Sequence, residues 1–221
     1  MHLLIKDSQH GFTKRKSCLT NLLVLMEEMS NYVDSGYPVD VIYLVFQKAF
    51  NKVPHKQLKL AAHGIGGKVL KWLENWLQGR MQRVVLGGHM SQWQDILSTQ
   101  GSVFGLLQFV IYIDDTGEAV NSRILYFADD TKIYLVITSA DEIDGLCVDM
   151  SNLVSWSKDW QMLFNTGACK CKIMHLGYNN TKAGYFMDSV QLETLTDEWD
   201  LVVIVSDDLK REKQCVAAVK V

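Results

Sequence analysis

The chain has 221 residues, of which 48% are hydrophobic and 21% charged, and its net charge is −3. This is an ordinary globular composition with enough apolar material for a sizeable core. No apolar stretch reaches the roughly 18 residues of a membrane span. The opening MHLLIKDSQHG lacks the long apolar run of a signal peptide.

The charge is uneven. Residues 1–90 hold 12 Lys/Arg against 6 Asp/Glu, and residues 91–221 hold 10 against 19. A basic half beside an acidic half suits a protein that holds a polyanion with one part and metal ions with the other. The cysteines (Cys18, Cys147, Cys169, Cys171, Cys215) are odd in number and scattered. They read as reduced thiols of an intracellular protein.

In chain order, Leu19, Leu22, Leu23, Met26, Met29 and Val33 fall at helical spacing up to a stop at Gly36. Lys14, Arg15 and Lys16 precede that helix as a basic cluster suited to phosphate contact. VDVIYLVF (Val39–Phe46) becomes fully apolar after Asp40, as a central strand does. A short helix is expected over Gln47–Asn51 and a weak one over Lys56–His63. Lys68–Gln78 predicts an amphipathic helix whose Trp72 and Trp76 are expected in the core. Gln82–Leu86 and Met90–Ile96 flank Gly87-Gly88 as a hairpin with Arg80 and Arg83 at its base. Val103–Ile113 is an apolar helix.

Arg123–Ile137, RILYFADDTKIYLVI, follows as two β-prone runs around a polar break. It reads as a hairpin carrying Asp129 and Asp130 at its tip. Carboxylates beside buried strands need a cation, and a hard divalent metal is the simplest one. A plain turn is the alternative reading of an Asp-Asp pair. Asp114-Asp115 at a helix end and Asp207-Asp208 after a strand are read as structural. A capping box at Ser139–Glu142 opens a long helix to about Trp160. Short strands are expected near Lys172–Leu176, Val190–Leu192 and Leu201–Val205. The mixture of hairpins and helices indicates an α+β fold.

Several blocks in order resemble the reverse transcriptase of jockey-like, chicken-repeat-type non-LTR retrotransposons. They include QHGFTKRKSCLTNLL, VDVIYLVFQKAFNKVPHK, QGSVFGLLQFVIYIDD, FADDTKIY, CKIMHLG and DLVVIVSDDLK. The resemblance implies an RNA-directed DNA polymerase. Residues 1–221 would be one partial domain, a palm with partial fingers, its antiparallel sheet flanked by helices, and no thumb. It implies Mg²⁺ (or Mn²⁺), an RNA template, a DNA primer and a dNTP. Asp129 and Asp130 match the metal-binding pair. Phe50 matches the aromatic residue that excludes a ribose 2′-hydroxyl, and Gln100 and Gly101 match the loop that meets nucleotide and template. Lys170, or Lys172, matches the lysine proposed to protonate pyrophosphate. Lys14, Arg15, Lys16, Arg80 and Arg83 are the candidate nucleic-acid contacts.

The departures bear on activity. The pattern Y-L-D-F reads Tyr43-Leu44-Val45-Phe46, so Val45 stands at the third metal-binding aspartate. The loop around Gln100 is about two residues short and has lost its proline. The glycine of D-L-G-V is Val202. Removing a preorganised electrostatic group costs about 10²–10³ in rate, so the expected turnover is very low or absent. Two alternatives stand beside an impaired polymerase: a non-catalytic nucleic-acid-binding module, and a retroelement remnant without activity.

Overall fold

The computed structural model describes residues 5–47, 49, 64–77, 79–95, 103–167 and 170–219. The expected helices over Lys56–His63 and most of Gln47–Asn51 lie outside them, as do Phe50, Gln100 and Gly101.

A long helix, α1 (Cys18–Asp34), opens the fold. Ser17 caps it: its side chain accepts from the Thr20 N–H while the Thr20 hydroxyl accepts from the Ser17 N–H. Strand β1 (Val39–Val45) follows. It is the middle strand of a five-stranded sheet, as its unbroken apolar run requires.

Helix α2 (Gly67–Leu77) leads into two small ladders. In these, β2 (Met81–Gln82) pairs β5 (Gln94–Asp95) around β3 (Val85–Leu86) and β4 (His89–Met90). Helix α3 (Val103–Ile113) precedes the central hairpin of β6 (Arg123–Phe127) and β7 (Asp130–Val136). Helix α4 (Ala140–Asp159) starts with the expected Ser139–Glu142 capping box.

Strand β8 (Lys172–Leu176) completes the inner sheet, and β9 (Phe186–Met187) and β10 (Val190–Gln191) form a small hairpin beyond it. The chain then places β11 (Glu193–Leu195) parallel to β8, so the sheet order is β11-β8-β1-β7-β6. All its other pairings are antiparallel. A second hairpin, β12 (Asp197–Asp200) with β13 (Val203–Ser206), precedes helix α5 (Glu212–Val219). The sequence predicts a strand over Leu201–Val205, whereas β13 begins at Val203. The structure instead turns at Leu201-Val202.

Alternation along β1 sorts the two sides of the sheet. Ile42, Leu44 and Phe46 meet Phe109 and Tyr112 of α3 and Leu146, Met150 and Leu153 of α4. Val39, Val41 and Tyr43 meet Leu22, Leu25 and Met29 of α1. With both faces covered, each buried Leu, Ile or Met contributes about 1.5–3 kcal/mol.

Asp40 enters the first of these faces fully buried. Its carboxylate meets His175 Nδ1 at 2.6 Å, accepts from the Tyr185 hydroxyl at 2.6 Å and accepts from Asn180 Nδ2 at 2.7 Å. This network ties β1 to β8 and to the approach to β9.

Trp72 corrects an expectation. It is 60% exposed, and Trp76 is half-buried. The buried residue of α2 is Leu73, which packs with Ile111 of α3 beside Leu70 and Ile65. One narrow stripe finds a partner there, and the Val69–Trp72–Trp76 stripe faces elsewhere.

Candidate active site

The β6–β7 hairpin closes on the pair Phe127↔Asp130, leaving Ala128 and Asp129 as its two-residue loop. Ala128 has φ +55°, the first-position geometry of a type II′ turn, where glycine is usual. A non-glycine residue holds that conformation when its surroundings dictate it, and here the N-terminal segment does so. Gln9 Oε1 accepts from the Ala128 N–H at 3.0 Å and from the Gly11 N–H at 2.7 Å. The backbones of His10 and Ser8 bond to Tyr126 on either side. Gly11 lies so close that a Cβ there would stand 2.2 Å from the Ala128 nitrogen. Asn21 of α1 donates to the Tyr126 carbonyl at 3.1 Å.

Asp129 and Asp130 are both partly buried. Burial raises the Asp129 pKa, opposed by its own backbone N–H. Burial pushes Asp130 up to about 6, helped by the negative charges of Asp129, Asp200 and Glu198 and opposed by Lys132. Across the ladder, Asp130 faces Val45. A valine side chain offers no lone pair at that place.

The same face continues to Lys132, which is buried. Its ammonium lies 2.7 Å from Asp200 of β12 and donates to Asn21 Oδ1 at 2.8 Å. Burial draws the lysine down and the aspartate up, and the contact between them opposes both shifts. Lys172 pairs with Glu198 at 3.1 Å. Two ion pairs therefore fasten β12 over the end of the sheet. A cleft of about 60 Å³ remains, lined by Val45, Asp130, Lys132, Lys170, Glu198 and Asp200.

The sequence-predicted residues separate here. Asp130, Val45 and Lys170 share the cleft, with Asp129 next along the turn. Lys172, the alternative to Lys170, is occupied by Glu198. The cluster at 14–16 lies before α1, where Lys16 is bound to Asp7 at 2.6 Å and Lys14 and Arg15 are exposed. Arg80 and Arg83 stand over Trp76 and Trp93, each with 4.6 Å between guanidinium carbon and ring centroid.

Asp114 and Asp115 are structural, accepting from the Lys6 N–H and from Trp156 Nε1. Asp208 closes a turn by accepting from the Lys210 N–H at 3.0 Å. The described residues contain no group of three or more His, Cys, Asp or Glu arranged to hold a metal ion.

The reverse transcriptase (RNA-dependent DNA polymerase) model matches residues 1–215. The chain belongs to this family. No curated relative matches it. The family's activity is RNA-directed DNA synthesis, and its members generally use divalent cations such as Mg²⁺ with an RNA template, a DNA primer and a dNTP. In this reverse transcriptase domain, sequence reasoning missed Gln9, Gly11 and Asn21 as supports of the aspartate turn. The string QHG was visible, but its partner is more than a hundred residues away. No helix among the described residues is long and apolar enough to cross a membrane.

Proposed function

We propose that the chain is the palm and part of the fingers of a non-LTR retroelement reverse transcriptase, with a nucleotidyl-transfer site that turns over very slowly or not at all. The observation that carries this reading is the register of β1 against β7. Val45 lies opposite Asp130, where the family pattern has a third carboxylate.

The donor set fits one divalent cation better than two. Mg²⁺ is commonly held by one or two carboxylates plus substrate phosphates, and Asp129 with Asp130 supply that much. Burial, with the neighbouring carboxylates, raises the Asp130 pKa, and a cation bound here would oppose that shift. A pair of cations would need a further carboxylate, and Val45 has none to give. When bound, such cations activate the primer 3′-oxygen and neutralise the leaving pyrophosphate.

The chain's own residues would do the rest. Asp129 and Asp130 supply the anionic oxygens. Lys170, which lines the same cleft, would give a proton to pyrophosphate. Phe50 would exclude a 2′-hydroxyl, and Gln100 and Gly101 would meet the nucleotide and template. Lys14, Arg15, Arg80 and Arg83 are the proposed phosphate contacts; Lys16 is already engaged by Asp7.

Primer extension on an RNA template with Mg²⁺ tests the reading. The expected result is no product from the chain as it stands and Mg²⁺-dependent product from Val45→Asp, a gain of about 10²–10³ or more. Extension by the unaltered chain overturns the proposed impairment. Silence of both chains moves the defect beyond position 45, toward a module that binds nucleic acid without copying it.

A further inference from the structure

From Met81 to Asp95 the chain forms a ribbon of two short ladders, β2–β5 and β3–β4, and every residue of it is exposed. Gly87 and Gly88, with φ of +55° and +83°, make the type I′ turn that closes it. Its apolar side chains are not scattered. Val84, Val85 and Leu86 stand in a row, 69%, 56% and 79% exposed, with Met90 opposite Val85 at 59%. Neighbouring side chains on a strand point to opposite faces, so both faces of the ribbon are apolar here. A two-stranded ribbon with no core beneath it is marginal in water. Among the described residues β3 pairs only with β4. The Ser91 N–H donates to the Val84 carbonyl at 2.9 Å, and Leu86 faces His89 at the turn. Alternation along an antiparallel pair then turns the N–H and C=O of Val85 away from β4, toward solvent. Between Val84 and Gln94 there is no Pro, Lys, Arg, Asp or Glu, the residues that ordinarily guard a strand edge.

We propose that the β3 edge is a self-association surface, where Val84–Leu86 pairs antiparallel with the same residues of a second copy across a two-fold axis. An axis placed at Val85 makes the edge its own complement, because each Val85 N–H then donates to the Val85 carbonyl of the other copy. The two β3–β4 hairpins become one four-stranded sheet, with the apolar row at its centre and His89 and Ser91 at the rim. The charge pattern selects this occupant. Arg83 and Asp95 cancel, so the ribbon from Met81 to Asp95 is neutral and two copies meet without repulsion. A polyanion or an anionic membrane finds no charge to hold along Val84–Gln94. Arg80 and Asp130 take no part, so the surface goes beyond nucleotidyl transfer and does not depend on it. The strand is short, which sets the dimer among weak interfaces that dissociate at about micromolar concentrations.

The test is sedimentation velocity of the full chain over a concentration series, with circular dichroism to follow folding. The parent should shift from monomer to dimer as concentration rises. Val85→Lys places a charge on the edge, and Val85→Pro removes the outward N–H. Each should weaken the dimer about tenfold or more while the spectrum and the urea midpoint stay those of the parent. Val85→Ile, which keeps a β-branched side chain, should dimerise like the parent. Asp130→Asn should do so too, so a failure at the polymerase site is separable from a failure here. A hydrogen-bonded antiparallel pair holds its Cα atoms about 5.5 Å apart, within disulfide reach. With Cys18 and Cys215 replaced by serine, Val85→Cys should therefore cross-link two copies under oxidation, and Met90→Cys should not. A parent that stays monomeric overturns the proposal, as does a Val85→Lys variant that dimerises fully or equal cross-linking at position 90. Protection of the Val85→Cys thiol by oligo(dT) or by phosphatidylcholine vesicles, in a chain that stays monomeric, overturns it in favour of a nucleic acid or a membrane.

Discussion

Two hairpins of this protein have loops of the same length and treat them differently. In β6–β7 the loop residues are Ala128 and Asp129, and only Ala128 has positive φ. In β12–β13 they are Leu201 and Val202, with φ of +46° and +80°. Two positive values in sequence define the type I′ geometry, which favours Asn-Gly. The first loop is gripped by Gln9, and Gly11 lies against it. The second is held by its ends: Asp200 is fixed by Lys132, while Val202 is 71% exposed. Strain is tolerated in the first loop because its neighbours dictate the conformation. In the second it is carried by a residue that gains no burial in return, and a β-branched side chain at this φ is a true outlier. Of the two, the aspartate-bearing turn is the one the fold supports.

The comparison breaks first at the shared lysine. Lys132→Met leaves Asp200 buried without its partner and should destabilise the protein by about 3–5 kcal/mol, read by urea unfolding. Full stability in that variant would mean that β12 is not held through this pair. Next is Gly11→Ala, which forces a methyl group against the Ala128 backbone. A loss of about 1–3 kcal/mol is expected in the same measurement. A neutral result would show that the N-terminal segment does not brace the turn. Val202→Gly should act in the opposite direction, raising stability by about 1 kcal/mol as the strained residue is relieved. A loss of stability there would show that Val202 is making contacts the turn needs.

The smallest effect is a slope. The Asp130 pKa is raised from 3.8 to about 6. The folded chain therefore binds more protons than the unfolded chain across that window, and stability falls as pH rises through it. Part of the carboxyl stays in water, which screens the effect. In EDTA, Asp130→Asn should flatten this limb of the stability–pH curve. At pH 7, Mg²⁺ should raise the Tm of the parent more than that of Asp130→Asn. An identical Mg²⁺ response in both chains would count against a cation at this carboxylate.

The difference between the hairpins also marks what the sequence could reveal. Strong periodicity was enough to place α1, α3, α4, β1 and the β6–β7 pair, but the stripe expected to face inward on α1 is displaced: Leu22 and Met29 are buried together with Leu25, while Leu19 and Leu23 are exposed. The turn at Leu201-Val202 has the pattern of a strand, because its residues are apolar and β-prone. Only the glycine of the related D-L-G-V pattern signals a positive φ there. Trp72 and Trp76 fit a helical stripe, yet α3 offers Ile111 to Leu73 instead, a choice made in three dimensions. The cleft was half legible. Asp129, Asp130 and Val45 stand out as motif positions. Asp200 and Glu198 do not, because their place opposite Asp130 depends on how β12 folds back over the sheet.

Val45 ends β1, and beyond Tyr43 the strand pairs with β7 but no longer with β8. The ladder runs through its backbone and is indifferent to its side chain. An aspartate here would bring one more negative charge to a corner that already holds Asp129, Asp130, Glu198 and Asp200. Left to the demands of folding alone, the position is better filled by valine. On the proposed reading, a carboxylate at this position would serve cation binding alone, because folding by itself favours valine.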